Sequence, residues 1–312
     1  MRPNIFRAWA LIPSAVDCRL TANMPHLIQR VTILGTGLIG GSFARALRKY
    51  TPDMYIVGWD RAEVVLQARQ SGAIDDGYYE SLEPAIRRAD LIYIALPVGT
   101  TLDLLPDLAH HAPPHALVTD SGSTKQRIWQ AASELFVEEV GPIFLAGHPM
   151  AGRELSGFAH ADADLFQSAT YALVGNADEI HDPRISAFVK ILEKIGGRPV
   201  WLGAQQHDYA VGLSSHLPQL AAIALAAFLY DRLDEKGLPI TLAGPGLRDT
   251  LRLAGSPYNT WRDIVLTNRE VLSAALDLFA RRLDDLRERL GSRDLELDFD
   301  AANELYKLLR SL

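Results

Sequence analysis

Short apolar runs alternate with helical patterns along the first part of the chain. The runs are mostly continuous, which is typical of strands that are buried on both faces of a parallel sheet. Between them, apolar residues recur at intervals of three and four, the period of a helix. Predicted strands cover 31–34, 55–60, 89–97, 117–120, 144–149, 171–174 and 199–202, and predicted helices cover 63–71, 100–111, 124–139 and 185–195. This alternation predicts an α/β fold with a doubly wound, mainly parallel sheet.

After residue 204 the pattern is helical to the end of the chain. Leu213, Leu217 and Leu220 keep a spacing of three and four, as do Leu272 and Leu276 further on. We therefore predict a sheet domain over 28–204 and an all-helical domain over 205–312. The apolar stripes are more extensive than one small bundle needs, so we expect the helical domain to form a homodimer. The stretch 217–229 is too short and too rich in alanine for a membrane span and is predicted to be a buried helix.

A glycine-rich turn follows the first predicted strand. Gly35, Gly37 and Gly40 have the spacing Gly-x-Gly-x-x-Gly, and Asp60 stands at the end of the next strand. The first glycine permits a tight turn, the second lets a pyrophosphate approach the backbone, and the third lets the helix pack on the strand. Asp60 is placed to accept hydrogen bonds from a ribose, and its charge repels a 2′-phosphate. We therefore predict a Rossmann-type domain that binds NAD rather than NADP.

Flanking residues complete the predicted cofactor site. They are Leu38, Ile39, Arg61 and Pro97. Because Arg61 is positively charged, it slightly weakens the discrimination against a 2′-phosphate.

Composition narrows the functional classes. The net charge of −7 and the lack of a basic cluster exclude a broad nucleic-acid surface. The single cysteine, Cys18, excludes an intrachain disulfide and the usual zinc patterns, so we predict no metal site and a cytoplasmic location away from the membrane. Residues 1–27 lack periodicity and are predicted to be a disordered or loosely docked extension, with the functional start near Met24.

Three polar groups of residues stand where ligands bind in an open parallel sheet, or on the helices beyond it. Two follow predicted strands, at 120–125 and 147–152, and the third lies in the helical region at 207–208 and 215–216. Candidate chemistry is therefore concentrated in serine, histidine and lysine residues beyond the carboxyl ends of strands.

Four separated motifs in this chain resemble those of the prephenate dehydrogenase family, which includes arogenate and cyclohexadienyl dehydrogenases. They are Gly-Leu-Ile-Gly-Gly-Ser at 37–42, His-Pro-Met-Ala-Gly at 148–152, His-Asp followed by Ser-His-Leu-Pro within 207–218, and Arg-Asp-x-x-Arg-Leu-Ala-x-Ser-Pro at 248–257. The resemblance implies the NAD-dependent oxidative decarboxylation of prephenate to 4-hydroxyphenylpyruvate, a step of tyrosine biosynthesis. A hydride then leaves C4 of the substrate, and the ring carboxylate is lost as carbon dioxide.

The resemblance also implies catalytic roles for two residues. His148 matches the family histidine that accepts a hydrogen bond from the C4 hydroxyl, a task that suits a neutral imidazole. Ser123 matches the serine that bonds the same hydroxyl and His148. Taken by itself, Ser123 could instead cap the following helix, as could Ser121.

Substrate-binding roles are implied for four further residues. Arg252 matches the residue that pairs with a substrate carboxylate, although a surface ion pair is the alternative. His216 matches a pocket residue, and Glu154 an acid near the pocket mouth. His207 is assigned to the substrate or, alternatively, to the protein core. Gln219 departs from the family pattern, because many members carry a second histidine there.

Three other functions compete with prephenate oxidation. Arogenate oxidation needs the same chemistry on a substrate with an amino group in place of the keto group. A 3-hydroxyacid dehydrogenase usually relies on a catalytic lysine in its helical domain, and neither Lys236 nor Lys307 stands beside Ser215-His216. A non-catalytic NAD-sensing protein is the third alternative, and the joint presence of Ser123, His148 and Arg252 argues against it.

Overall fold

The computed structural model describes residues 27–152, 155–175, 179, 181–233 and 237–311. The predicted extension, apart from Leu27, and the candidate residue Glu154 lie outside the described residues. Their predicted roles stay predictions.

Eight strands form one sheet in the order β3-β2-β1-β4-β5-β6-β7-β8. They are β1 (Arg30–Leu34), β2 (Tyr55–Trp59), β3 (Asp76–Tyr78), β4 (Leu91–Ile94), β5 (Leu117–Asp120), β6 (Ile143–Pro149), β7 (Thr170–Val174) and β8 (Arg198–Leu202). Strands β1 to β6 run parallel, β7 is antiparallel to β6, and β8 is parallel to β7. The order of the first six strands is that of dinucleotide-binding sheets. The predicted α/β fold with a mainly parallel sheet is confirmed.

Helices cover both faces of the sheet and make up the remainder of the chain. They are α1 (Leu38–Tyr50), α2 (Ala62–Gln70), α3 (Glu83–Ile86), α4 (Val98–His111), α5 (Gln126–Leu135), α6 (Pro183–Lys194), α7 (Ala204–Val211), α8 (Leu217–Tyr230), α9 (Leu238–Thr241), α10 (Pro245–Leu251), α11 (Tyr258–Thr267), α12 (Arg269–Glu288) and α13 (Leu295–Arg310). Two short 3-10 turns, Phe158–His160 and Arg252–Gly255, interrupt the loops.

The core lies on the two faces of the sheet. Every residue of β4 and of β5 is buried, as the continuous apolar runs predict. One face packs against α1 and α6, and the other against α4 and α5. This rigid layer fixes the strand ends from which the candidate residues project.

Strand β3 is absent from the sequence prediction. It has only three residues, is half-buried throughout and pairs at the edge of the sheet with β2. Since it includes Asp76 and Gly77, which disfavour strands, no apolar run marks it.

Helices α7 and α8 form one continuous helix, Ala204–Tyr230, joined through a π turn at Gly212–His216. Its length and mean hydropathy of 1.4 would suffice to cross a membrane. Its first turns, however, bury His207 and Asp208 inside the protein. Those polar contacts argue for a helix that belongs to the folded protein.

The prediction that the stretch 217–229 is a buried helix is wrong for the single chain. Only Gln219 and Ala222 of α8 are buried, and Phe228 is half-exposed. The apolar composition of this stretch led to the prediction of burial, but composition does not show whether a helix packs inside its own chain.

Candidate active site

The turn after β1 has the geometry that a dinucleotide pyrophosphate needs. Gly35 has a φ of +90°, and a Cβ there would collide with the Ala95 carbonyl oxygen. A Cβ on Gly40 would collide with the Gly35 carbonyl oxygen, whereas Gly37 has open space around it. Helix α1 begins at Leu38 without a side-chain cap or an acid in its first turn, so its N–H groups are available to an anion. The turn therefore fits the cofactor.

Asp60 is held beside this turn by two backbone donors. Its Oδ2 accepts from the Thr36 N–H at 2.7 Å and its Oδ1 from the Arg61 N–H at 2.7 Å. Oδ2 also accepts from the Thr36 hydroxyl at 3.4 Å, so Oδ1 is the oxygen that retains a lone pair for a ribose hydroxyl. Arg61 extends outwards and lies 3.4 Å from Glu63. A carboxylate fixed in this place disfavours a 2′-phosphate by repulsion.

The other predicted cofactor residues lie at the same edge of the sheet. Leu38 and Ile39 form the half-buried first turn of α1. Pro97 follows β4 and immediately precedes α4, at the carboxyl end of the strand that neighbours β1. All the predicted cofactor positions thus lie at the carboxyl ends of β1, β2 and β4, where parallel sheets bind dinucleotides.

His148 lies near the end of β6 and bonds another histidine. Its Nδ1 is 2.9 Å from the Nε2 of His207, which stands on α7. The Nδ1 of His207 is in turn 2.8 Å from the Oδ1 of Asp208. All three side chains are buried. The structure thus joins a strand of the sheet domain to the helical domain through a line of three polar groups.

Asp208 caps helix α5 from the other domain. Its Oδ1 accepts from the Lys125 N–H at 2.7 Å, and its Oδ2 from the Gln126 N–H at 2.9 Å. These N–H groups begin α5 and would otherwise lack partners. Neither Ser121 nor Ser123 provides a side-chain cap, so the capping alternative for Ser123 is not supported. The helix also starts at Gln126 and ends at Leu135, inside its predicted range of 124–139.

A fully buried ion pair supports the strand end that carries His148. The Lys125 ammonium bonds the Asp120 carboxylate and also donates to the Gly147 carbonyl at 2.8 Å. Asp120 further accepts from the N–H groups of Gly122 and Gly147. The backbone on either side of the site is therefore fixed by groups that have their charges and hydrogen bonds satisfied.

His216 faces the same region from the π turn. Its Nδ1 lies 3.3 Å from the Asn268 Nδ2, which also donates to the Asp208 carbonyl at 2.9 Å. The Trp261 ring packs edge-on against the imidazole, with centroids 5.7 Å apart. Because the Asn268 amide nitrogen contacts a carbonyl oxygen, it is a donor, and the Nδ1 of His216 must be an acceptor.

Burial keeps the three imidazoles neutral. Desolvation is the main cause that lowers the pKa of His148 well below its usual 6.5, and the nearby Lys125 ammonium lowers it further. Desolvation also lowers the pKa of His207 and brings that of His216 to about 4. Burial lowers the pKa of Lys125, although the adjacent Asp120 carboxylate opposes that shift. The site at neutral pH therefore offers uncharged histidines as hydrogen-bond acceptors and donors.

For two predicted residues, Ser123 and Arg252, the structure gives a position but no hydrogen bond to the histidines within the described residues. Ser123 is half-buried in the loop after β5, and no hydrogen bond joins it to His148 within the described residues. Arg252 begins the 3-10 turn that packs on α8, where Gln219 donates to the Leu253 carbonyl at 2.7 Å. The roles of both residues toward substrate stay predictions.

Sequence reasoning missed three members of this network, namely Asp208, Asn268 and Lys125. Asp208 and Lys125 stand in polar groups that the sequence singled out, but nothing in the sequence assigned them a partner. Asn268 gave no signal, because it lies between two apolar helical patterns. The packing of α7 against α5 and β7, and of α12 against the π turn, brings these side chains together.

Comparisons with known proteins agree with this geometry. Residues 43–201 match the family model of the prephenate dehydrogenase nucleotide-binding domain, and residues 203–310 that of the prephenate dehydrogenase dimerization domain. Prephenate dehydrogenase from Lactococcus lactis subsp. cremoris is 33% identical over 268 residues, which cover 86% of this chain and 73% of the relative. Cyclohexadienyl dehydrogenase from Zymomonas mobilis is 30% identical over 271 residues, which cover 86% of this chain and 90% of the relative.

A solved structure supports the same assignment. The crystal structure of prephenate dehydrogenase from A. aeolicus, in complex with hydroxyphenyl propionate and NAD+, superposes with a TM-score of 0.80 at 28% identity. The match covers 92% of this chain and 99% of that chain. From the two domain matches and the identity to curated relatives, this chain belongs to the prephenate dehydrogenase family of oxidoreductases.

Proposed function

We propose that the protein catalyses the NAD-dependent oxidative decarboxylation of prephenate to 4-hydroxyphenylpyruvate. The observation that carries this proposal is the buried, neutral His148 at a strand end, beside a dinucleotide turn and within a family of this activity. Its Nδ1 is bonded to His207, and among the described residues no hydrogen bond involves its Nε2. That nitrogen is the group we assign to the C4 hydroxyl of the substrate.

The residues that would hold NAD are those of the glycine turn and Asp60. The N–H groups at the start of α1 suit the pyrophosphate, and the Asp60 carboxylate suits the adenosine ribose. When bound, NAD supplies the acceptor for the hydride from C4. The fixed position of Asp60 supports NAD rather than NADP as the cofactor.

The work left to the protein is mainly orientation, because aromatisation of the ring drives the reaction. His148 accepts the hydrogen bond of the C4 hydroxyl and so draws electron density towards the carbon that loses the hydride. The ring carboxylate leaves as carbon dioxide, and the hydroxyl proton stays on the phenolic product. No net proton is released, so His148 has to stay neutral but need not pass a proton to solvent.

His216 has a hydrogen-bonding character opposite to that of His148. Since its Nδ1 accepts from Asn268, its Nε2 carries the proton and donates. A donor in this place suits a carboxylate or keto oxygen of the substrate. Arg252 supplies a full positive charge to the dianionic substrate, and Ser123 and Glu154 complete the predicted substrate contacts. Both ring nitrogens of His207, the remaining predicted residue, are bonded by protein groups.

Arogenate is the second candidate substrate. The 30% identity to a cyclohexadienyl dehydrogenase supports it, because that name covers dehydrogenation of more than one cyclohexadienyl substrate. The reacting ring is the same, so His148 would keep its role. The choice depends on contacts around the side chain of the substrate. Gln219 stands where many family members carry a histidine, and here it is buried and donates to the Leu253 carbonyl.

We also propose that the helical domain forms a homodimer and that the domains divide at 204–205. The exposed apolar residues of α8, α12 and α13 support the dimer, as does the dimerization-domain match. The last strand ends at Leu202 and α7 begins at Ala204, which supports the division. A cytoplasmic location is proposed from the cysteine content and the biosynthetic role.

The test is turnover with purified protein, measured by the absorbance of the reduced cofactor. We expect activity with prephenate and NAD, and little with NADP. Replacing His148 with Asn should lower kcat by a factor of about 10² to 10⁴ and leave NAD affinity unchanged. His111→Asn, on the exposed end of α4, is the matched control.

Each outcome separates two functions. Turnover with arogenate alone would keep the mechanism and change the substrate. Absence of turnover with both substrates, together with intact NAD binding, would favour the sensing alternative. Full activity in His148→Asn would contradict the proposed role of that imidazole.

A further inference from the structure

The buried line of Asp208, His207 and His148 restricts where protons can lie. An ionised Asp208 carboxylate only accepts hydrogen bonds, so the His207 Nδ1, 2.8 Å away, must carry a proton. A neutral His207 then has a bare Nε2. Since that nitrogen lies 2.9 Å from the Nδ1 of His148, the latter must be the donor.

This order of donors leaves one tautomer for His148. With its proton on Nδ1, a neutral imidazole has an unprotonated Nε2, which is the state that can accept a hydrogen bond. If His148 instead carried its proton on Nε2, its bare Nδ1 would face the bare Nε2 of His207. Burial of both rings removes the water that could otherwise satisfy such a mismatch.

Asp208 is itself held in a fixed orientation. Both carboxylate oxygens accept backbone N–H groups at the start of α5, and the backbone carbonyl accepts from Asn268. The side chain therefore cannot rotate away from His207 without exposing unpaired donors of α5. Both ring nitrogens of His207 are likewise engaged by protein groups, which leaves none for a substrate.

We propose that Asp208 and His207 are positioning residues that hold His148 in the tautomer with an unprotonated Nε2, so that the helical domain sets the proton-accepting state of a residue in the sheet domain. This inference rests on the proposed role of His148 in the reaction. It replaces direct substrate contact as the function of His207.

The first measurement is the tautomer of His148 in the full-length protein. Long-range nitrogen–proton correlation spectra of histidine-labelled protein distinguish a ring protonated on Nδ1 from one protonated on Nε2, and spectra of His148→Asn and His207→Leu assign the two rings. We expect His148 to carry its proton on Nδ1. A proton on Nε2 in the unmodified protein would overturn the proposal.

Asp208→Asn is the main variant. Asp208 Oδ1 accepts from both the Lys125 N–H and the His207 Nδ1, and Oδ2 accepts from the Gln126 N–H. In either orientation an Asn amide nitrogen opposes one N–H group of α5, so the proton on His207 is no longer held by a carboxylate fixed in place. We expect the His148 tautomer to change and kcat to fall about a thousandfold, with a KM within a few-fold of the original. An unchanged tautomer and kcat would overturn the proposal.

Asp263→Asn is the matched control. Asp263 is also a buried carboxylate of the helical domain, and it accepts from the Gly99 N–H of the sheet domain at 3.0 Å, but no histidine in the described part of the chain bonds it. We expect its kcat to stay within about threefold of the original value, since the substitution weakens the contact between the domains and the ion pair with Arg262 but changes no proton in the line to His148. An equal loss in both variants would show that domain docking, rather than proton placement, is responsible.

A pair of substitutions at His207 guards against misfolding of Asp208→Asn. His207→Gln can donate to Asp208 and accept from the His148 Nδ1, whereas His207→Leu can do neither. We expect the Gln variant to keep the tautomer and most of kcat, and the Leu variant to lose both. Equal behaviour of the two would contradict the proposal. Because the spectra need no substrate, they test proton placement even if prephenate is not turned over.

Discussion

The sheet domain and the helical domain bury their apolar residues in different ways. Strands β4 and β5 are wholly buried, and the helices on both faces of the sheet complete that core. Helices α10 and α13 contain no buried residue, and α12 buries only Leu272 and Ala275. One domain therefore forms its core from its own residues, whereas the other leaves much of its apolar surface exposed in the single chain.

The buried polar groups, unlike the apolar core, are shared between the two domains. Lys125 and His148 of the sheet domain meet Asp208, His216 and Asn268 of the helical domain in one buried network. The site thus belongs to neither domain alone. The buried apolar core is therefore concentrated around the sheet, whereas the candidate site depends on how the helices are held against it.

The largest expected effect comes from charging the exposed apolar face of α12. The double substitution Leu283→Glu and Leu286→Glu would place four carboxylates in an apolar interface of a dimer. We expect the dissociation constant to rise at least ten-thousand-fold, which corresponds to about 5.5 kcal/mol. Sedimentation velocity over a range of concentrations measures it.

Leu66→Glu is the control for this prediction. Leu66 lies on α2 of the sheet domain and is 55% exposed, close to the 52% of Leu283. We expect it to leave the oligomeric state unchanged. A dimer that survives the double substitution would show that α12 is not part of the interface.

The next effect tests the self-contained core of the sheet domain. Lys125→Met leaves the Asp120 carboxylate buried without its cation, and such a loss typically costs about 3–5 kcal/mol of unfolding free energy. Adding Asp120→Asn removes the unpaired charge and should restore about half of that loss. Urea unfolding of the single and double variants provides the measurement. Equal stability of Lys125→Met and the original protein would contradict the prediction.

A smaller effect is the pH dependence of the unfolding free energy that the buried His216 causes. Burial lowers the pKa of His216 from 6.5 to about 4, so between these values the unfolded chain binds a proton that the folded chain does not. Stability is therefore fully present above pH 6.5 and falls as the pH drops towards 4, by about 3 kcal/mol for this residue. His148 and His207 add to the loss, since burial lowers their pKa as well.

Urea unfolding at pH 7, 6 and 5 would measure this slope. Replacing His216 with Gln should make the slope shallower, because the titrating group is gone. His111→Gln, at an exposed position, should leave it unchanged. The same slope in His216→Gln would show that this imidazole is not buried in its neutral form.

The sequence predicted the fold to the extent that local patterns determine it. Continuous apolar runs marked β4 and β5, and the glycine spacing marked the nucleotide turn. The short edge strand β3 has no such pattern and was missed. The burial of α8 was predicted wrongly, because periodicity cannot tell an intramolecular surface from one that a second chain covers.

The candidate site was predicted only one residue at a time. Family motifs marked His148, His207 and His216, but not the bond between His148 and His207 or the bond of His216 to Asn268. Those bonds depend on how α7 packs on α5 and α12 on the π turn, and no local signal in the sequence determines this packing. Asn268 and Lys125 became visible as members of the site for the same reason.

The π turn at Gly212–His216 acts as a phase shift within a single helix. A π turn holds one residue more than the corresponding α-helical turn, and each residue advances the side chains of a helix by about 100°. Deleting one residue here would leave the helix continuous but rotate everything after it, so that Gln219 would no longer point at the Leu253 carbonyl while Asp208 stayed in place. The extra residue therefore sets the angle about the helix axis between α7, which carries His207 and Asp208, and α8, which supports the 3-10 turn of Arg252.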